Sequence, residues 1–240
     1  MANQTDTNMI DDFERRQAKY APVAAELAQL YGTPRWRADW PPLDELVSCI
    51  LSQNTTDTNC YRAFTALKAR YATWQDVVDA PAAEVIETVR VAGLAQQKGP
   101  RIQAALRRIQ AERGAFDIGF LGDLPLEEAR AWLMQLDGVG PKTAAIVLCF
   151  AFNRPAFPVD THVHRVGQRI GFLPQGISAE RAHTVMEAIV PTADYYAFHI
   201  NLIQHGRAIC KAPTPQCARC PLTAYCDYFQ RLSGDGHDNT

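Results

Sequence analysis

The sequence predicts an all-α fold, on three observations. No segment sustains a period-two alternation of apolar and polar residues. Stretches with helical patterning recur instead, joined by short connections. The 240 residues are 47% hydrophobic, enough for one large core or two small ones. No internal repeat stands out.

Taken in order, the chain opens with a polar leader, Met1 to Asn8. A helix is expected from Asp11 to Tyr31, with Ala24, Leu27 and Leu30 on a packed face. Gly32-Thr33-Pro34 ends it, and a loop follows with Trp36 and Trp40 as packing anchors. Leu43 to Tyr71 reads as two helices broken at Ser52-Gln53-Asn54-Thr55-Thr56-Asp57. Thr56 or Asp57 can cap the second. The amides of Gln53 and Asn54 suit either turn chemistry or contact with bases. Trp74 to Ala80 and Ala82 to Val91 read as further helices. Gly93-Leu94-Ala95 makes a turn, and a helix follows from Pro100 to Glu112. Leu94 is either a packed helix-end residue or an exposed apolar tip. Lys98, Arg101, Arg107, Arg108 and Arg113 form a local basic stripe, read as a solvated face or a DNA contact. Net charge is −2, so a nucleic-acid surface would have to be local.

Glu127 to Leu136 is helix-forming, and Ala144 to Phe152 is uninterrupted apolar. Between them lies Leu136-Asp137-Gly138-Val139-Gly140-Pro141-Lys142-Thr143-Ala144. Gly138 and Gly140 allow a tight turn and close approach of a ligand to the main chain. Pro141 suits the first position of a helix. Free N–H groups beside the positive end of a helix dipole bind phosphate. Lys142 follows at once. A cation there is disfavoured by the dipole. Its amine is therefore more easily neutral, and more nucleophilic, than one on the surface.

After the break Asn153-Arg154-Pro155, Asp160 stands where an N-cap would stand, ahead of a helix through Ile170. Its sharper role is a carboxylate that activates an attacking group or stabilises developing positive charge. His162 and His164 lie on different helix faces, which argues against a shared metal. A loop and helix cover Pro174 to Val190, and Tyr195 to Ala208 forms an apolar helix with His199, His205 and Arg207. Cys210-x6-Cys217-x2-Cys220-x5-Cys226 follows. Four thiolates so close suit a tetrahedral zinc or a [4Fe–4S] cluster, and spacing does not separate the two. Cys49, Cys60 and Cys149 sit in apolar helices and read as core. No segment has the pattern of a secretion signal, so a cytoplasmic protein with reduced thiols is expected.

The hairpin nonapeptide, then Val159-Asp160-Thr161-His162, then His205-Gly206-Arg207 and the cysteine tail resemble the endonuclease III family. These are base-excision DNA glycosylases of the helix-hairpin-helix superfamily. The resemblance runs from about Leu43 to Cys226. It implies two all-α lobes with a DNA cleft between them: a six-helix barrel over 35–154, and a lobe of 9–34 and 155–231 holding a [4Fe–4S] cluster on Cys210, Cys217, Cys220 and Cys226. Residues 1–8 and 232–240 are left as loose tails. Lys142 falls on the family's nucleophile and Asp160 on its catalytic aspartate. Gly138, Val139, Gly140, Thr143 and His162 fall on DNA-contacting positions. Asn54 falls where many members place a glutamine that fills the gap left by a flipped base, and Gln53 can share that role. Leu94 falls near the residue that wedges into the opposite strand. The implied partner is double-stranded DNA with damaged pyrimidines or abasic sites, met by a monomer with no membrane association. Asp137 departs from the family's usual proline, and the loop from Lys211 to Gln216 holds only one basic residue. A monofunctional relative acting on mispaired bases would generally lack Lys142. A module that only binds DNA would have no use for both Lys142 and Asp160.

Overall fold

The computed structural model describes residues 12–234. Among them there is no strand. Contacts divide the chain into two units: Arg37–Ala156, and the residues up to Trp36 together with those from Phe157 on. Helix α1 covers residues 12–18, and α2 covers Tyr20–Tyr31. The sequence predicts one helix here. Pro22 accounts for the turn at Lys19, because it has no N–H to offer the Ala18 carbonyl one turn back.

The contiguous unit holds α3 (Pro42–Ser52), α4 (Asp57–Arg70), α5 (Trp74–Asp79), α6 (Ala82–Thr88), α7 (Ala95–Arg113), α8 (Leu126–Met134) and α9 (Pro141–Ile146). Leu46, Ile50 and Leu51 of α3, Leu67 of α4, and Ile102 and Leu106 of α7 are fully buried. Each is worth roughly 2 kcal/mol of hydrophobic stabilisation. Thr56 is the cap of α4, accepting from the Asn59 N–H at 3.3 Å. Trp40 packs on Phe64, as an anchor should.

Two expectations fail in this unit, and a third holds only in part. α7 begins at Ala95 rather than Pro100, with Leu94 as its left-handed cap residue. The apolar run after Lys142 does not stay α-helical. A π turn covers Val147–Ala151, and the chain then reverses at Asn153, φ 51°. The basic stripe is a solvated face only in part: Arg107 and Arg113 are exposed, but they also contact the protein itself. Lys98 is buried. Arg107 donates to the Val78 carbonyl at 3.1 Å, and Arg108 to the Gln135 carbonyl at 2.7 Å. Arg113 lies over the Phe120 ring.

The second unit adds α10 (Thr161–Ile170), α11 (Ala179–Ile189), α12 (Tyr195–Ala208) and α13 (Asp227–Gly234) to α1 and α2. Val23 and Leu27 of α2 and Leu202 of α12 are fully buried, and α2 and α10 both pack on α12. Helix α13 includes Leu232 to Gly234, where the sequence predicts a loose tail. The rest of that tail and residues 1–8 lie outside the described residues. Among the described residues no helix is long and apolar enough to cross a membrane.

Gly171 is the knot of this unit. It ends α10 at φ 102°, and its carbonyl accepts from Arg16 at 3.2 Å. Asp227 of α13 pairs with Lys19 and, at 3.0 Å, with Arg15. Lys19 also donates to the Ile170 carbonyl at 2.8 Å. A Cβ on Gly171 would sit 2.0 Å from the Asp227 carboxylate oxygen and 2.9 Å from the Lys19 amine. Gly171→Ala should therefore both strain the backbone and split the ion pair. A loss of about 2–3 kcal/mol is expected, read as a lowered thermal midpoint by circular dichroism.

Candidate active site

The hairpin joins α8 to α9 through a turn in which the Val139 N–H donates to the Leu136 carbonyl at 3.1 Å. Gly138 has φ 78°, a conformation that favours glycine, and a Cβ there would sit 2.7 Å from the Arg101 side chain. Its carbonyl accepts from Gln53 Nε2 at 2.8 Å. Gly140 is different. Its φ of −100° suits any residue, and a Cβ there would meet nothing within 4 Å. Nothing inside the protein requires glycine at 140, and the surface beside it is open. Among the described residues, the N–H groups of Gly140, Lys142 and Thr143 have no acceptor. The Val139 and Thr143 side chains are buried. Both can meet a ligand only through the main chain.

Lys142 is half-buried at the start of α9. Beside it lie Glu45 and Cys49 of α3, with the Cys49 thiol donating to Glu45 at 3.5 Å. Burial pushes the Glu45 carboxyl up, and its bond with Cys49 and the Lys142 charge pull against that. Burial likewise raises Cys49.

Gln53 and Asn54 divide their work. Gln53 is tied to the hairpin, whereas Asn54 is exposed at φ 51°. Leu94 is 47% exposed at φ 49°. Non-glycine residues in that region are uncommon and gather at functional sites. Leu94 is thus the exposed apolar tip.

In the other unit, Asp160 caps α10, accepting from the Val163 N–H at 2.7 Å. The strand of chain before it is held from below. Phe157 N–H donates to Glu187 at 3.0 Å, and the ring nitrogens of His183 and His199 meet the Phe157 and Pro158 carbonyls, each at 2.9 Å. A carbonyl only accepts, so both imidazoles donate there. His162 accepts from Arg165 at 3.1 Å. The same guanidinium donates to the Gly206 and Cys210 carbonyls, at 3.0 and 3.1 Å. This ties the Asp160 helix to the head of the cysteine segment.

Cys210, Cys217, Cys220 and Cys226 all line one cavity. Arg169 donates to the Cys210 sulfur at 3.4 Å, and His205 Nε2 lies 3.5 Å from that of Cys220. Burial and then the neighbouring thiols push Cys220 up to about 11. Among the described residues, no three His, Cys, Asp or Glu side chains are gathered tightly enough to hold a metal ion.

Residues 47–192 match the HhH-GPD superfamily of base excision DNA repair proteins. Endonuclease III of Thermotoga maritima is 33% identical to this chain, over 87% of it and 92% of the relative. The chain belongs to the endonuclease III family. Endonuclease III of Bacillus subtilis is also 33% identical, over 81% of this chain and 85% of its own. A DNA glycosylase candidate from Arabidopsis thaliana is 35% identical over 77% of this chain, which spans 66% of that protein. Two solved endonuclease III structures share the fold. A non-covalent DNA complex has TM-score 0.78 and 29% identity, and a trapped covalent intermediate with DNA has TM-score 0.77 and 30% identity. Each covers 91% of this chain and 98% of that chain. Membership makes the chain a DNA glycosylase and AP lyase of base-excision repair.

Sequence reasoning missed Glu45, His183 and His199. Glu45 follows Asp44 in the first turn of α3, where acidic residues are ordinary, so nothing in the sequence signals that it lies half-buried beside Lys142. The two histidines sit in helices far along the chain and gave none. The Gln53 bond to Gly138 carries a testable consequence. Gln53→Ala removes one hydrogen bond worth about 1 kcal/mol. The Val139 amide, bonded to the Leu136 carbonyl, should then exchange with deuterium roughly fivefold faster, with little change in the rest of the unit.

Proposed function

We propose that this glycosylase and lyase removes oxidised or ring-damaged pyrimidines from double-stranded DNA, with Lys142 as nucleophile and Asp160 as its acidic partner. The observation that carries this is the hairpin. Unpartnered main-chain N–H groups and an open face at Gly140 stand directly before a half-buried lysine. The amides take a backbone phosphate. The damaged nucleotide leaves the stack. The neutral Lys142 amine attacks the sugar C1′ as the bond from C1′ to the base nitrogen breaks, and the base departs with the electron pair and takes up a proton. Loss of a proton from the attacking nitrogen and opening of the sugar ring give the Schiff base. Removal of a C2′ proton then expels the 3′ phosphate by β-elimination. Asp160 takes the amine proton or stabilises the sugar cation. Asn54 enters the space left by the flipped base, since the Gln53 amide is committed to the hairpin. Leu94 enters the opposite strand, and His162 lies along the DNA-contacting surface. As the family resemblance implies, the enzyme acts as a monomer on nucleoid DNA in the cytoplasm.

The four cysteines fit a [4Fe–4S] cluster. They line a common cavity, and the family resemblance, rather than their spacing, selects iron–sulfur over a tetrahedral zinc. Such a cluster would cross-link the loops of the C-terminal segment.

Borohydride should trap the wild type covalently on DNA with an oxidised pyrimidine, and Lys142→Ala should abolish trapping. Asp160→Asn keeps an oxygen for the Val163 N–H and removes only the charge. It should slow base release at least about a hundredfold while binding changes little; equal loss of both would leave Asp160 a cap alone. The purified protein should contain iron and acid-labile sulfide, about four of each per chain. Zinc in their place would refute the cofactor assignment.

A further inference from the structure

Lys98 is 1% exposed, and none of the chemistry above uses it. No carboxylate pairs with it among the described residues. Its amine donates instead to two main-chain carbonyls, Leu51 at 2.7 Å and Ala92 at 2.8 Å. These are not arbitrary carbonyls. Leu51 is in the last turn of α3, just before Gln53 and Asn54. Ala92 ends the 3₁₀ turn Arg90–Ala92, just before Gly93 and Leu94. Both are C-terminal ends of helical segments, where carbonyl dipoles gather negative charge and a cation is favoured. Two such ends facing one buried point would repel without it. One turn above, the Lys98 N–H donates to the Leu94 carbonyl at 3.0 Å, so the residue also anchors the start of α7. The two loops it joins carry Asn54 and Leu94, the left-handed residues at φ 51° and 49°.

We propose that Lys98 is a positioning residue that clamps the Asn54 loop to the Leu94 loop, so that both probe the duplex as one rigid pair. The proposal rests on the reading of Asn54 and Leu94 as the residues that enter DNA. A left-handed leucine persists only where surrounding structure fixes it, and the clamp supplies that at Leu94. Burial lowers the affinity of Lys98 for its proton, yet a neutral amine still has two N–H donors for the two carbonyls.

The test compares single-turnover excision of thymine glycol by the full-length protein in two duplexes. In one the lesion is paired. In the other it faces a gap, so nothing has to be held apart. Lys98→Met and Leu94→Ala should each lower the paired-to-gapped rate ratio about tenfold. The double variant should fall no further than either alone, because both act at one step. Equal loss on both duplexes would make Lys98 merely structural and overturn the proposal. So would multiplicative effects in the double variant, or a wild-type ratio for Lys98→Met beside a lowered one for Leu94→Ala. An unchanged ratio for Leu94→Ala would overturn the wedge reading itself and the clamp with it. If Lys98→Met fails to fold by circular dichroism, Lys98→Gln carries the same comparison, keeping an N–H donor on a shorter arm.

Discussion

The site depends on how one carbonyl is disposed of. Gly138 turns the chain at φ 78°, and its oxygen is taken by Gln53 at 2.8 Å. Just beyond it, at the start of α9, the N–H groups of Gly140, Lys142 and Thr143 have no partner among the described residues. The start of a helix leaves such donors to be met by a side chain, water or a ligand, and among the described residues no side chain meets these. The hairpin is a surface whose hydrogen bonds are to be completed from outside.

This explains how a chain of net charge −2 can engage a polyanion. In the α7 stripe, Lys98, Arg107 and Arg108 donate to carbonyls of the protein itself, and Arg113 lies over a ring. Recognition through amides rather than mobile cations is short-ranged and directional. In the proposed reading it would fix the register of the strand relative to Lys142, where a diffuse positive face would only hold it near.

Much of this could be read from residues alone. The hairpin, the Asp160 cap and the cysteine segment each occupy one short window, and local rules about glycine, proline and capping act within such windows. The Thr56 cap and the packing role of Trp40 were legible for the same reason. What was hidden depended on partners distant in sequence. Lys98 looks like any helix lysine until the Leu51 and Ala92 carbonyls are placed around it. The early start of α7 required Leu94 to accept a left-handed conformation, which no propensity favours. The π turn after α9 follows from the reversal at Asn153 and the return of the Arg154 N–H to the Leu148 carbonyl at 2.9 Å. Pro22 was visible, but its effect on the Ala18 carbonyl was overlooked.

The two units differ in how the chain enters them. Arg37–Ala156 is contiguous, whereas the other unit needs residues from both sides of it. During synthesis the α2 face bearing Val23 and Leu27 emerges from the ribosome long before α12, against which it packs. The contiguous unit can close while translation continues. The cysteine-bearing unit has to wait for the last quarter of the message, with an apolar helix uncovered in the meantime. Ribosome pausing late in the transcript would therefore burden this half of the enzyme and spare the half that carries the hairpin.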